Sequence, residues 1–244
     1  LFAEFLTAAV LAASLAIPLP TPPFSLQPCP SDLVDAELDP AGNLYLLRSG
    51  TPHLEVRYIS GETMSFDLPE VVLPGGLSLE DRWGWWVSDE IGGVSYRYDD
   101  SGVVVDSIPT PGRPGDLCEL GFSIMYVSRD RGALMNADSP VHPVLRFSGA
   151  GLGQLTASSS ELIYSDGSES FLLPVGGVPI SLSERGTRAL AAGTDLLLRA
   201  DSIFTDTWVL DVSTVADFTR ISSSPGGQYM VLWSPGGEGV LLLR

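Results

Sequence analysis

The chain has 244 residues, enough to bury one sizeable core without dividing into domains. It carries 30 Asp plus Glu against 13 basic residues, all of them Arg, for a net charge of −17. That balance argues against nucleic acid and anionic membrane surfaces as partners, and the absence of Lys excludes lysine-base and Schiff-base chemistry.

Residues 2–17 are nearly all apolar or small, and Pro18, Pro20, Pro22 and Pro23 then end any helix. The pattern reads as a secretory signal peptide, or alternatively as a retained hydrophobic helix over residues 1–17. Only in the second reading does the chain meet a membrane. The run carries Glu4 and is shorter than the roughly 20 apolar residues a spanning helix needs. A lipid anchor at Cys29 does not fit, because Pro28 stands where a lipobox needs a small residue. Residues 18–30 read as a proline-stiffened leader into a domain over residues 31–244.

Beyond the leader no segment keeps a 3.6-residue apolar period for three turns, so the domain is expected to be all-β. Gly (26) and Pro (19) punctuate the chain at short intervals, as many tight turns require. A short apolar and aromatic run recurs six times: Leu44-Tyr45-Leu46, Trp85-Trp86-Val87, Met125-Tyr126-Val127, Ile163-Tyr164-Ser165, Leu197-Leu198-Arg199 and Met230-Val231-Leu232. The steps between middle residues are 41, 40, 38, 34 and 33. Such a period, made of short strands and turns, is the length of one four-stranded β-propeller blade.

Taken in order, the first blade covers residues 31–70, with strands at 33–38, 44–48, 54–60 and 63–68. The second covers 71–111, with strands at 77–79, 83–88, 94–98 and 103–108. The third covers 112–150 and ends on a strand at 144–147; the fourth covers 151–183 and opens at 154–157; the fifth covers 184–221 and opens at 188–191. The sixth has only strands at 229–233 and 239–243, so the leader segment Phe24, Ser25 and Leu26 is expected to complete it.

Asp39-Pro40-Ala41-Gly42-Asn43-Leu44-Tyr45 resembles the turn-and-strand core of NHL-type six-bladed propellers. Ser224-Pro225-Gly226-Gly227-Gln228-Tyr229-Met230 is similar to the core of TolB-like and WD40-like blades. The resemblance implies a six-bladed propeller of mostly four-stranded blades. It brings no catalytic residues with it.

Several residues stand out as candidates. Trp83 and Trp85 share one strand face, suited either to stack on a sugar or a partner's proline or to fill the wedge between blades. Acids gather where inner strands open: Asp32 and Asp35, Glu80 and Asp81, Asp116 and Glu119, then Glu184 with Arg188. Asp35, Glu80, Asp116 and Glu119 either line an acidic mouth able to hold Ca²⁺ through oxygen ligands or are solvated turn residues. His53 and His142 lack metal spacing and suit surface loops; two cysteines cannot build a four-ligand zinc site. Cys29 and Cys118 can pair in an exported protein if the leader crosses the channel mouth. Templates for lactonase, sialidase, quinoprotein and Gly-x-Ser-x-Gly hydrolase sites all fail. The reading is an exported, non-catalytic interaction or scaffold module of the cell envelope, with a protein partner and no cofactor; the alternative is a metal-dependent binder, hydrolase or lyase using the acidic mouth.

Overall fold

A computed structural model describes the backbone of residues 24–79, 84–120, 123–136, 139–143, 146–150, 153–157, 162–165, 170–172, 181–185, 188–192, 197–201, 206–210, 220–224, 229–234 and 239–243. Its described side chains are those of residues 27–79, 84–117 and 124–136, with 220, 222, 224, 229 and 231–234. The expected signal peptide, Glu80, Asp81 and Trp83 lie outside these residues, as do the side chains of Cys118, Glu119, His142, Glu184 and Arg188.

Strand β1 (Phe24–Pro28) comes first. Four-stranded antiparallel sheets follow: β2 (Leu33–Leu38), β3 (Leu44–Arg48), β4 (His53–Arg57), β5 (Thr63–Asp67); then β6 (Pro74–Leu79), β7 (Trp85–Asp89), β8 (Val94–Tyr98), β9 (Val104–Pro109). The third is β10 (Pro114–Leu120), β11 (Ser123–Ser128), β12 (Ala133–Asn136), β13 (Ser139–Pro143), and the fourth β14 (Arg146–Ala150), β15 (Gly153–Ala157), β16 (Leu162–Ser165), β17 (Ser170–Leu172). The fifth is β18 (Ser181–Arg185), β19 (Arg188–Ala192), β20 (Leu197–Asp201), β21 (Asp206–Leu210). The last runs β22 (Arg220–Ser223), β23 (Met230–Trp233), β24 (Gly239–Leu243) and takes β1 as its fourth strand, with Phe24 opposite Leu243 and Pro28 opposite Gly239. First strands lie side by side in succession: β2 beside β6, then β10, β14, β18 and β22, and β22 beside β2.

Burial falls from the inner to the outer strands. All five residues of β7 are buried, whereas β5 and β9 are mostly exposed. On β4 the alternation is regular, Leu54 and Val56 buried between half-buried His53, Glu55 and Arg57, as a strand covered more on one face requires.

The turns quoted above explain local chain direction. Asp39 accepts the backbone N–H of Asn43 at 2.8 Å and its side-chain amide at 2.7 Å. Gly42 sits at φ 85°, where a Cβ would also come within 2.9 Å of the Tyr229 ring. Ser224 repeats the device between β22 and β23, its hydroxyl accepting the N–H of Tyr229 at 3.0 Å.

Blade boundaries differ from expectation after the third sheet. The strand expected at 144–147 is replaced by β13, and the fourth sheet opens with β14 rather than at 154. Every later assignment moves by one strand. Tyr164 and Leu198, expected to match Tyr45 on a second strand, lie on the third strands β16 and β20. The cause is Pro140 and Pro143: proline removes a ladder donor and suits only an edge, and β13 is the outer edge of its sheet.

Candidate functional site

The first three inner strands share one irregularity. Pairing slips between Leu33 and Asp35, between Pro74 and Gly76, and between Pro114 and Leu117. A bulge at the same place in each strand re-aims the next side chain. In the first sheet pairing resumes at Asp35, and in the third Asp116 lies within the slip; in the second pairing resumes at Gly76, where a Cβ would come within 2.6 Å of the Gly115 carbonyl.

Asp35 accepts two backbone donors, Ala36 N–H and Leu77 N–H, each at 2.9 Å. The second belongs to β6, an inner edge strand, so the carboxyl satisfies a backbone donor on the neighbouring sheet. Burial pushes the Asp35 carboxyl up to about 7, helped by the negative charges of Glu37 and Asp116; the Leu77 amide and Arg220 pull the other way. On β22, Ser222 donates its hydroxyl to Glu37 at 2.7 Å. Asp35, Glu37, Asp116, Arg220 and Ser222 thus form one electrostatic group drawn from the first, third and last sheets. A carboxyl titrating near neutrality in such a group can exchange a proton or attract a cation. Among the described residues no three His, Cys, Asp or Glu side chains come together to hold a metal ion.

Asp32 is used differently from Asp35. It receives Arg48 Nε at 2.8 Å and Gly50 N–H at 3.0 Å, and these contacts hold its carboxyl below the usual range against the opposing pull of burial. His53 sits at the start of β4 rather than in a loop, its Nδ1 2.7 Å from the Thr51 carbonyl.

Trp85 does not present a free face. It is buried between the first and second sheets, its ring 5.0 Å from Phe66, 6.3 Å from Tyr45 and 6.0 Å from a near-parallel Tyr98. Trp86, on the opposite side of β7, packs with Leu117, Tyr126, Ala133 and Met135 of the third sheet. Adjacent tryptophans therefore fill two successive wedges, which corrects the interaction reading of Trp85.

Cys29 carries a free thiol, and the side chain of its expected partner Cys118 lies outside the described residues. The Cys29 Sγ lies 3.5 Å from the Pro30 carbonyl and 4.0 Å from that of Ser234, against the cluster of Leu33, Leu46, Val231 and Trp233. Cys118 is on β10, in the third sheet, opposite Met125. Burial pushes the Cys29 thiol up, Arg57 draws it down, and Asp32 adds to the rise.

Sequence reasoning missed Asp89 and Glu90 at the end of β7, which are 1% and 7% exposed. Asp89 accepts the N–H groups of Val72 at 3.0 Å, Leu73 at 3.1 Å and Ile91 at 3.1 Å. Glu90 accepts Arg113 Nε at 2.9 Å and Arg129 Nη1 at 2.7 Å, and a second nitrogen of Arg113 closes on the same oxygen. The available signal was Gly92-Gly93, one residue after the two acids: a Cβ at 92 would come within 2.4 Å of Asp89 Oδ2.

No family model matches the chain, and no curated protein does. Solved structures do. Virginiamycin B lyase from Staphylococcus aureus aligns over 91% of this chain and 86% of its own, at 11% identity and TM-score 0.62. A chain of the mitotic checkpoint complex aligns over 100% and 96%, at 11% identity and TM-score 0.64. Hsv2 from Kluyveromyces lactis aligns over 82% and 70%, at 11% identity and TM-score 0.55. The fold is a β-propeller. At such identities the likeness carries the architecture of this propeller and nothing of its chemistry.

Proposed function

We propose that the chain closes as a ring of six blades, with β1 completing the last, and serves as an exported, non-catalytic interaction or scaffold module of the cell envelope. Closure is supported by the pairing of β1 with β24 and by β22 lying beside β2. Export is supported by the apolar run at residues 2–17 and the prolines after it. The observation that carries the module reading is how the acids are used. Asp32, Asp35, Glu37, Asp89 and Glu90 hold turns, an open strand edge, a hydroxyl and arginines. Acids committed in this way stiffen a surface, and a stiff surface suits recognition. A chain of similar fold works within a protein assembly, the mitotic checkpoint complex. Fractionation of the source cells with cross-linking and mass spectrometry tests the reading. Envelope or medium location with reproducible cross-links to another protein is expected; a cytoplasmic chain cross-linked to nothing contradicts it.

A second reading keeps the inner acids as a metal-dependent binder, hydrolase or lyase site, favoured by the Asp35 carboxyl titrating near 7 beside Glu37 and Asp116. Asp116, Glu119, Asp35 and Glu80 would supply the oxygen ligands. Millimolar Ca²⁺ then raises the melting temperature through linkage, and Asp116→Asn abolishes the rise. An unchanged melt rules against it.

A further inference from the structure

The wedge between the first and second sheets is filled on the inside and open at its outer end. Tyr45, Val56 and Met64 stand opposite one another in a row across β3, β4 and β5, so they share one side of the sheet. That side packs on the second sheet, where the Tyr45 ring lies 6.3 Å from Trp85. Val56 is 1% exposed, whereas Met64, at the end of the row, is 46% exposed. Tyr58 follows Val56 by two residues on the same side and donates its hydroxyl to Met64 Sδ at 3.2 Å. The turn between β8 and β9 leans on this side of the first sheet: a Cβ at Gly102 would come within 2.5 Å of the Phe66 ring, two residues after Met64 on β5. Two half-buried phenols and an exposed thioether are thus held together where the cover of the second sheet ends.

Charge selects the occupant. Burial pushes the Tyr45 phenol up to about 12, and the negative charges of Asp39 and Asp100 push it the same way. These acids belong to turns of two different sheets, β2–β3 and β8–β9. A field that opposes a phenolate favours a cation at the same place. Both oxygens of Asp39 already hold Asn43, so Asp39 acts through its field; Asp100 is exposed and can pair directly. The described arginines of the first two sheets do not offset this charge. Arg48 and Arg57 pair with Asp32 and Glu55, two against two, and Arg57 also donates to the Pro28 carbonyl at 3.1 Å. Arg97 stands opposite Trp86, on the side that faces the third sheet. With its proton turned to Met64, the Tyr58 oxygen is left to accept. A second copy of a chain at −17 is repelled at long range. We propose that this outer end of the wedge docks a segment of a partner protein carrying an arginine or lysine beside an apolar side chain: the cation settles at the phenols of Tyr45 and Tyr58, between Asp39 and Asp100, and the apolar group covers Met64. Aromatic rings attract such cations, and the apolar stems of both side chains suit a place that is half covered.

The proposal rests on the interaction-module reading, and the test separates the two. A display library of random dodecapeptides is selected on the full chain at physiological ionic strength. Recovered peptides are expected to combine Arg or Lys with Leu, Ile, Val, Met or Phe. Asp100→Asn weakens them about fivefold, the worth of a partly exposed ion pair, and Met64→Ser about tenfold through lost apolar contact. Both sites are exposed, so the melting temperature stays in place. Asp67→Asn removes an equal charge from the opposite side of β5 and leaves affinity nearly unchanged. If Asp67→Asn weakens binding as much as Asp100→Asn, net charge alone attracts the peptides and the site is overturned. Peptides that bind the parent and Met64→Ser equally overturn it, as does recovery of no basic-apolar peptides; the module reading then still stands or falls by its own cross-linking test. A concentration-dependent dimer lost on Met64→Ser assigns the site to a second copy and overturns the partner proposal.

Discussion

The seam between the first and second sheets and the seam between the second and third are built from opposite sides of one strand, β7, by different physics. The first is filled by aromatic and aliphatic side chains: Trp85 against Tyr45, Phe66 and Tyr98, with Leu47, Leu54, Val56 and Leu77 around them. The second has a smaller apolar cluster around Trp86 and gains its closeness from backbone. A Cβ at Gly75 would lie 2.1 Å from the Pro114 carbonyl, and Ser88 donates its hydroxyl to the Gly115 carbonyl at 3.2 Å. The ion triad of Glu90, Arg113 and Arg129 closes its rim. An apolar seam loses stability with area and cavity volume, and salt barely affects it. A seam of glycines and ions fails through overpacking or an unpaired charge, and responds to salt.

The largest expected effect is on the apolar side. Trp85→Ala empties the first wedge and should cost about 3–5 kcal/mol, read from urea denaturation. Its cost should hardly change with ionic strength. Gly75→Ala attacks the second seam without removing any contact and should cost about 1–3 kcal/mol by overpacking. Equal stability to the parent would mean that the two inner strands separate freely. Glu90→Gln keeps the shape and removes the charge; with the arginines partly hydrated the loss should be about 1–2 kcal/mol, and smaller in high salt. A salt-independent loss would move Glu90 into the same class as Trp85.

Asp35 is read from a slope with pH rather than from a loss at one pH. Its folded carboxyl is raised to about 7, above its unfolded value. Its contribution is therefore fully present below about pH 4 and is lost as pH rises to about 7. Asp32, held below the usual carboxylate range, works in the opposite sense, its stabilisation being lost as pH falls. Comparing the parent with Asp35→Asn isolates the first group: the parent should lose stability relative to the variant across that window, and parallel curves would contradict the assignment.

Much of the architecture was legible because turns carry their own chemistry. The Asp39 turn brings Gly42 to positive φ, and Ser224 caps its turn through its own hydroxyl. Polar–apolar alternation in sequence marked β4 and β8. The fourth and fifth blades were misphased because Pro140 and Pro143 hide an edge strand, and because second strands carrying Leu155 or Ala189-Leu190-Ala191 look weaker than third strands carrying Tyr164 or Leu198. The group around Asp35 was half visible: acids at strand openings can be counted, but the bulges that aim them cannot. Asp89 and Glu90 were invisible for a related reason. In sequence they look like turn acids, and only the fold buries them against amides and arginines from three other segments.

Closure of the ring as proposed requires β1 to be a working strand of the last sheet. Amide hydrogen exchange followed by mass spectrometry across residues 24–28 and 239–243 tests it most directly. If β1 closes the ring, those of its amides that point at β24 are protected together with β24, and both segments open in one cooperative step as denaturant rises. Exchange of residues 24–28 at the rate of free chain, with residues 239–243 still protected, would show that the leader is a tether and would contradict closure by β1.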